Sequence, residues 1–196
     1  MSVLRRDDLD PDPLKQFEHW YAEAAAVQDW VERTAVATAD ARGVPSLRMV
    51  LLKSFDERGL VFFTHYTSRK GRELAENPRA ALLLYWSSLG RQVRVEGTVE
   101  QVSAAESDAY FVTRPPAARA SAAASRQSEV LASRAELDAR VAELAGAEVA
   151  RPETWGGYRV VPDAWEFWQH RDDRLHDRFR YRRDGDGAWI IERLYP

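Results

Sequence analysis

The turns in the first third of this chain restrict its fold more than any other feature. Three β-prone stretches, Thr34–Ala39, Ser46–Phe55 and Leu60–His65, are separated only by Ala41-Arg42-Gly43 and by Asp56-Glu57-Arg58-Gly59. Turns that short join antiparallel neighbours, because a parallel pair needs a crossover of about a dozen residues or more. Further on, Arg91–Val102 alternates cleanly, with Val93, Val95, Gly97 and Val99 on one side and Gln92, Arg94, Glu96 and Thr98 on the other. Ala80–Trp86 is a continuous apolar run, expected to be buried on both faces. Tyr158–Val161, Trp165–Gln169, Asp177–Arg183 and Ala188–Leu194 read as the remaining strands, the last two joined by Asp184-Gly185-Asp186-Gly187.

Helices fall between hairpins. Asp12-Pro13 supplies an N-cap and a first helical residue, and Leu14, Phe17, Tyr21, Ala24 and Gln28 follow at helical spacing, so Pro13 to about Gln28 is an amphipathic helix. Arg69–Glu76 follows Ser68 and ends at Asn77-Pro78, Ala104–Thr113 stops before Pro115-Pro116, and Ala117–Ser125 is helix-compatible. Ser133-Arg134-Ala135-Glu136 reads as a capping box opening a helix to about Ala145. Six or more strands in hairpin order, with no long helix recurring between successive strands, predict a mainly β, antiparallel barrel with peripheral helices. No internal repeat or linker divides the 196 residues, so one domain over 1–196 is expected, with the charged residues 1–11 loose.

Composition narrows the function. A net charge of −3 provides no global field for nucleic acid or membrane, so any anion site must be a local cluster. No apolar run nears the roughly 20 residues that span a bilayer, and Met1–Arg6 lacks the apolar core of a secretory signal, so a cytoplasmic protein is expected. The absence of cysteine excludes disulfides, thiolate metal sites and Cys nucleophiles. Seven each of Trp, Tyr and Phe favour aromatic-walled pockets or a large interface. His19, His65 and His170 show no metal-ligand spacing, and no Gly-rich phosphate loop or G-x-S-x-G elbow is present.

Local cation clusters do exist. Arg48 and Lys53 share a strand, but five residues apart they face opposite sides unless a bulge re-aims one of them. Ser68-Arg69-Lys70 puts two cations at a helix N-terminus, where they oppose the dipole unless an anion sits there. Phe63-Thr64 lies just upstream, Gln92 points away from the Val93/Val95 stripe, and Tyr110 and Arg114 share one helical face. Six Arg and three Asp crowd positions 171–183 around His176. Alone, each of these is an ordinary surface feature. Together they suit a bound phosphorylated redox cofactor better than chemistry by an activated side chain.

Taken in order, these segments resemble the pyridoxamine/pyridoxine 5′-phosphate oxidase family. The matching text is Arg48–Lys53, Ser68-Arg69-Lys70, Arg91-Gln92, Tyr110-Phe111 with Arg114-Pro115, Gln127-Ser128, Trp155-Gly156-Gly157-Tyr158, Glu166–Gln169, Arg174–Arg178 and the terminal Arg193–Pro196. The resemblance implies a split β-barrel homodimer with FMN where the subunits meet. It makes Arg48, Met49, Val50, Leu51, Leu52, Lys53, Phe63, Thr64, Arg69, Lys70, Gln92, Gln127, Ser128, Trp168 and Arg178 the cofactor-site candidates. Lys53, Tyr110 and Arg114 would hold the substrate phosphate, with Arg174 and His176 over the pyridine ring as the catalytic candidates. The implied reaction is hydride transfer from substrate C4′ to flavin N5, reoxidation by dioxygen to hydrogen peroxide, and release of pyridoxal 5′-phosphate.

Two departures from the family pattern bear on substrate. Ala118 stands where a Ser usually meets the phosphate; the missing hydrogen bond, worth about 0.5–1.5 kcal/mol, weakens binding unless Ser121 or Arg119 compensates. The loop His170-Arg171-Asp172-Asp173 is charged where glycines are usual. A flavin oxidase of another aromatic substrate, of the phenazine-biosynthesis type, is the second reading. A non-catalytic flavin- or heme-binding barrel is the third, opposed by Tyr110, Arg114 and His176.

Overall fold

The computed structural model describes residues 3–196, and its eight strands form one sheet in which every pairing is antiparallel. In chain order they are β1 (Arg33–Ala39), β2 (Pro45–Asp56), β3 (Gly59–His65), β4 (Arg79–Trp86), β5 (Arg91–Gln101), β6 (Trp155–Gln169), β7 (Asp177–Arg183) and β8 (Trp189–Arg193). Their spatial order is β3-β2-β1-β4-β5-β6-β7-β8, and a further β3–β6 pairing closes the first six into a barrel. The expected antiparallel barrel is therefore present. Five α-helices surround it: α1 (Pro13–Ala25), α2 (Arg69–Glu76), α3 (Ala104–Thr113), α4 (Pro116–Ala124) and α5 (Arg134–Glu143). None of the described helices is long and apolar enough to cross a membrane.

Tyr158–Val161 and Trp165–Gln169 are not two strands but the two halves of β6. Along one edge β6 pairs with β5 over Tyr158–Gln169; along the other it pairs with β3 over Trp155–Val160 and with β7 over Ala164–Gln169. Pro162, which has no N–H to give a ladder, sits opposite Gly97 at the handover, where the β5–β6 register shifts. A Cβ on Gly97 would lie 2.0 Å from the Val161 carbonyl oxygen, so the strands approach this closely only because residue 97 has no side chain.

Phe17 and Trp20 of α1 enter the barrel core with Leu52, Leu60, Phe62, Leu82, Leu84, Trp86, Val93, Val95, Trp165, Phe167 and Tyr181. Phe17 meets Phe55 edge-on at 4.9 Å and lies 5.5 Å from Trp165. The helix ends at Ala25, short of the expected Gln28. The run before it, expected to be loose, is packed: Leu4 and Leu9 are buried, and the Tyr181 hydroxyl donates to the Asp10 carbonyl. Met1 and Ser2, part of that expectation, lie outside the described residues.

β4 departs from its expected two-sided burial. Ala80, Leu82, Leu84 and Trp86 are buried, while Ala81 and Leu83 are half-buried and Tyr85 is exposed. A barrel strand has only one face toward its core, so the apolar run covers an outward surface as well. At α5 the expected capping box is half formed. Ser133 accepts from the Glu136 N–H, but the Glu136 carboxylate takes Arg140 instead. The complete box is at Ser103 and Glu106, opening α3.

Gly97→Ala is expected to lower the unfolding free energy by about 1–3 kcal/mol, the usual cost of overpacking, with the urea midpoint as the measure. An unchanged midpoint would mean the bulge relaxes freely.

Candidate active site

The Trp155 end of β6 opens into a cavity of about 510 Å³. β2, β3, α3, α4 and α5 all line it. Lys53 reaches it on the same side as Leu51, as the alternation of an extended strand places residues two apart, and the β2–β3 register slips at Lys53, between Leu52 and Ser54. Arg48 stays on the other side of the strand, so the expected pairing of Arg48 and Lys53 at one pocket does not occur within a protomer. Phe63, Tyr110 and Trp155 stack in parallel, with Phe63 and Tyr110 4.0 Å apart and Phe63 and Trp155 5.4 Å apart. The Arg114 guanidinium lies 4.7 Å over Trp155. Its Nη1 is buried and has no hydrogen-bond partner among the described residues, so a donor aimed at this wall awaits an acceptor.

Behind the wall, Lys70 of α2 is buried and donates to Gln127 Oε1 at 2.8 Å and to Thr64 Oγ1 at 2.9 Å. Burial, reinforced by Arg48 and opposed by Glu73, brings its ammonium down to about 8. Burial likewise lowers His65 and Arg114 and raises the Tyr110 phenol. Asp138 is the sole carboxylate in the lining, and Arg134 pairs with it at 2.7 Å. The cavity is thus cationic, part aromatic and short of acceptors, which is the chemistry a phosphate monoester fits.

The second group of candidates gathers at the Trp168 end of β6. Register places Gln92, Trp168 and Arg178 side by side across β5, β6 and β7. Trp168 lies 4.6 Å from His176, and Arg178 donates to Glu166 at 2.8 Å. The charged loop 170–173 now has a role: the Arg171 N–H donates to His176 Nδ1 at 3.1 Å, so the ring proton of the neutral imidazole sits on Nε2. Arg171 also pairs with Asp173 at 3.2 Å, and the buried Asp177 accepts from the Leu4 N–H and from Arg193. Arg174 carries a φ of 66° and Ser128 a φ of 75°, left-handed values that ordinary side chains resist and that cost of order 1–3 kcal/mol. Two candidate residues are held where the backbone would not go unaided.

The remaining candidates divide by face. Leu52 is buried and Val50 packs against the core, so neither side chain faces the cavity; Leu51 does, and Met49 points outward. Arg69 pairs with Glu73. The sequence reading missed His65, Ser125 and Arg134 in the cavity lining. Of the two residues that might offset Ala118, Ser121 lines the cavity, whereas Arg119 faces a separate one with Asp108 and Arg151.

Comparison with known proteins meets this geometry. Residues 24–147 match the family model described as pyridoxamine 5′-phosphate oxidase, and residues 155–196 the pyridoxine 5′-phosphate oxidase C-terminal dimerisation region. The chain belongs to the pyridoxamine 5′-phosphate oxidase family. Family members named pyridoxine/pyridoxamine 5′-phosphate oxidase from Paraburkholderia phymatum and Thermosynechococcus vestitus are each 55% identical, covering 100% and 98% of this chain and 94% and 93% of theirs. It is thus an oxidoreductase of that family. Among solved structures, PhzG from Burkholderia lata, in complex with tetrahydrophenazine-1-carboxylic acid, superposes with a TM-score of 0.93 at 39% identity over 99% of this chain and 98% of that one. An FMN-binding protein from Nostoc punctiforme, at 17% identity and a TM-score of 0.77 over 94% of this chain and 98% of that one, shares the split-barrel fold.

Lys70 supplies a pH test. Between about 8 and 10.5 the folded state has released a proton that the unfolded chain still holds, so this group's contribution to stability rises with pH across that window. Lys70→Met should flatten that rise in urea unfolding measured from pH 7 to 10; a curve parallel to the parent's would show that Lys70 is not the group responsible.

Proposed function

We propose that this chain is an FMN-dependent oxidase that converts pyridoxamine 5′-phosphate and pyridoxine 5′-phosphate to pyridoxal 5′-phosphate, acting as a homodimer. The observation that carries it is the unpartnered Arg114 donor beside Lys53 and Tyr110 in a cationic cavity, a clamp suited to a phosphate monoester. Lys70, Arg69 and Arg48 form a second cationic set, which fits the phosphate of FMN. When bound, FMN supplies the hydride acceptor at N5 and passes the electrons to dioxygen, giving hydrogen peroxide.

The protein's own work is to bind and orient. Lys53, Tyr110 and Arg114 anchor the substrate phosphate, and the parallel rings of Phe63, Tyr110 and Trp155 wall the cavity. His176, its Nδ1 occupied by the Arg171 N–H, offers a donor at Nε2, and Arg174 belongs to the same loop. Arg114 and His176 serve one substrate only if two subunits build the site. Trp155 and Trp168 lie at opposite ends of β6, roughly 40 Å apart along an extended strand of this length. A second copy would also cover the outward apolar face of β2, β1 and β4, where Met49, Ala35 and Leu83 share one row, and Leu47, Ala37 and Ala81 the next. Leu47, at 69% exposure, and Met49, at 61%, stand out from that face.

Purified protein should be yellow and release peroxide with either phosphate; flavin-loaded protein inert to both would reject the reading. Arg174→Ala should abolish most turnover while flavin is retained, and equal loss of both would assign Arg174 to the cofactor or the fold. Mixing inactive Arg114→Ala and His176→Ala subunits should restore about a quarter of parental activity, since half the dimers would be hybrids with one intact site of two. No recovery after confirmed subunit exchange would place both residues in a site made by a single subunit.

A second reading, an FMN-dependent oxidase of another aromatic substrate of the phenazine-biosynthesis type, is favoured by the likeness to PhzG and by Ala118. A panel of aromatic substrates competing against pyridoxine 5′-phosphate separates the two.

A further inference from the structure

We propose that Glu73, braced by Arg48, is a positioning residue that sets Arg69 for the phosphate of the flavin, and so determines preference for the phosphorylated cofactor. This rests on the FMN reading above. Glu73 lies on α2, its side chain only 7% exposed, between two arginines that come from different elements. Its Oε1 accepts from Arg69 Nε at 2.8 Å. Its Oε2 accepts from Arg48 Nη2 at 3.3 Å and from the hydroxyls of Thr38 and Ser46. Each hydroxyl in turn accepts from Arg48, Thr38 from Nη1 and Ser46 from Nη2, so each relays Arg48 to the same carboxylate oxygen. Burial alone would resist ionisation of Glu73, but the hydrogen bonds from Ser46, Thr38, Arg69 and Arg48 outweigh it and hold the carboxyl at about 2.

The arrangement does more than stabilise α2. An Arg69–Glu73 pair one helical turn apart is common, but this carboxylate also reaches across to β1 and β2, where it and the Thr38 and Ser46 hydroxyls hold both terminal nitrogens of Arg48. Gripping Arg69 through Nε leaves its two terminal nitrogens without a partner among the described residues, and the side chain is 57% exposed. The guanidinium fork is thereby left exposed to a ligand before one arrives. Only a ligand carrying a phosphate gains from that orientation; the isoalloxazine ring does not.

The test compares the affinities of the apoprotein for FMN and for riboflavin, followed by quenching of flavin fluorescence. The parent should prefer FMN. Glu73→Ala should weaken FMN by about tenfold or more, the scale of one charge-assisted hydrogen bond, while riboflavin affinity stays as it was. Glu73→Gln keeps the shape but turns a donor toward donors, so it should lose the same preference, and it decides the matter if the alanine variant does not fold. An unchanged FMN-to-riboflavin ratio, or an equal fall for both ligands, would overturn the proposal and leave Glu73 a support of the fold. A parent protein that fails to prefer FMN over riboflavin would instead overturn the FMN reading itself.

Discussion

The rest of the structure depends on the shared edge of β6. A strand offers two hydrogen-bonding edges, and β6 spends one on β5 and divides the other between β3 and β7. The first half closes the barrel and the second leaves it to pair with β7. The handover is possible because Pro162 needs no partner for a missing N–H and Gly97 offers no side chain to obstruct the bulge. One consequence is functional. The strand that seals the core also separates the aromatic, cationic wall at Trp155 from the Trp168/His176 group.

Charge is handled differently in these places. Arg48, Arg69, Arg171 and Arg178 are tied to carboxylates, which fixes their direction. Lys53, Arg114 and Arg174 have no carboxylate partner among the described residues, and Lys70 is buried against neutral oxygens. For buried Lys70 and half-buried Arg114 the missing counter-ion is unfavourable, and the cost is offset when an anion binds. Left-handed backbone at Ser128 and Arg174 follows the same logic, since local strain persists where the surrounding structure enforces it.

Much of this was legible in the chain. The bounds of α2, α3 and β7 match the Ser68 cap, the Pro115 stop and the period-two pattern of Asp177–Arg183. Lys53, Phe63, Thr64, Tyr110, Arg114 and Gln127, which the family resemblance singles out, line one cavity. What was not legible has a common cause. His65, Ser125 and Arg134 line the cavity because α4 and α5 close it against β3, and no periodicity encodes where a helix will lie. The Arg69–Glu73 pair could have been read from a four-residue spacing, but Glu73's hold on Arg48 exists only through the register of β1 and β2. The apolar run of β4 suggested two buried faces, because residue type reports a wish for burial and not the partner that provides it.

By itself the sequence determined the antiparallel hairpin order, the placement of most strands and helices, and the inventory of cations and aromatics. Those follow from local rules: turn length, side-chain alternation and capping act within a few residues. Tertiary structure alone decided that β6 is one strand whose second edge is divided between β3 and β7, that helices close a cavity over Lys53, and that Arg114 keeps a buried donor without a partner among the described residues. These rest on contacts between residues far apart in the chain, where packing and hydrogen-bond satisfaction choose among arrangements that local preference leaves equal.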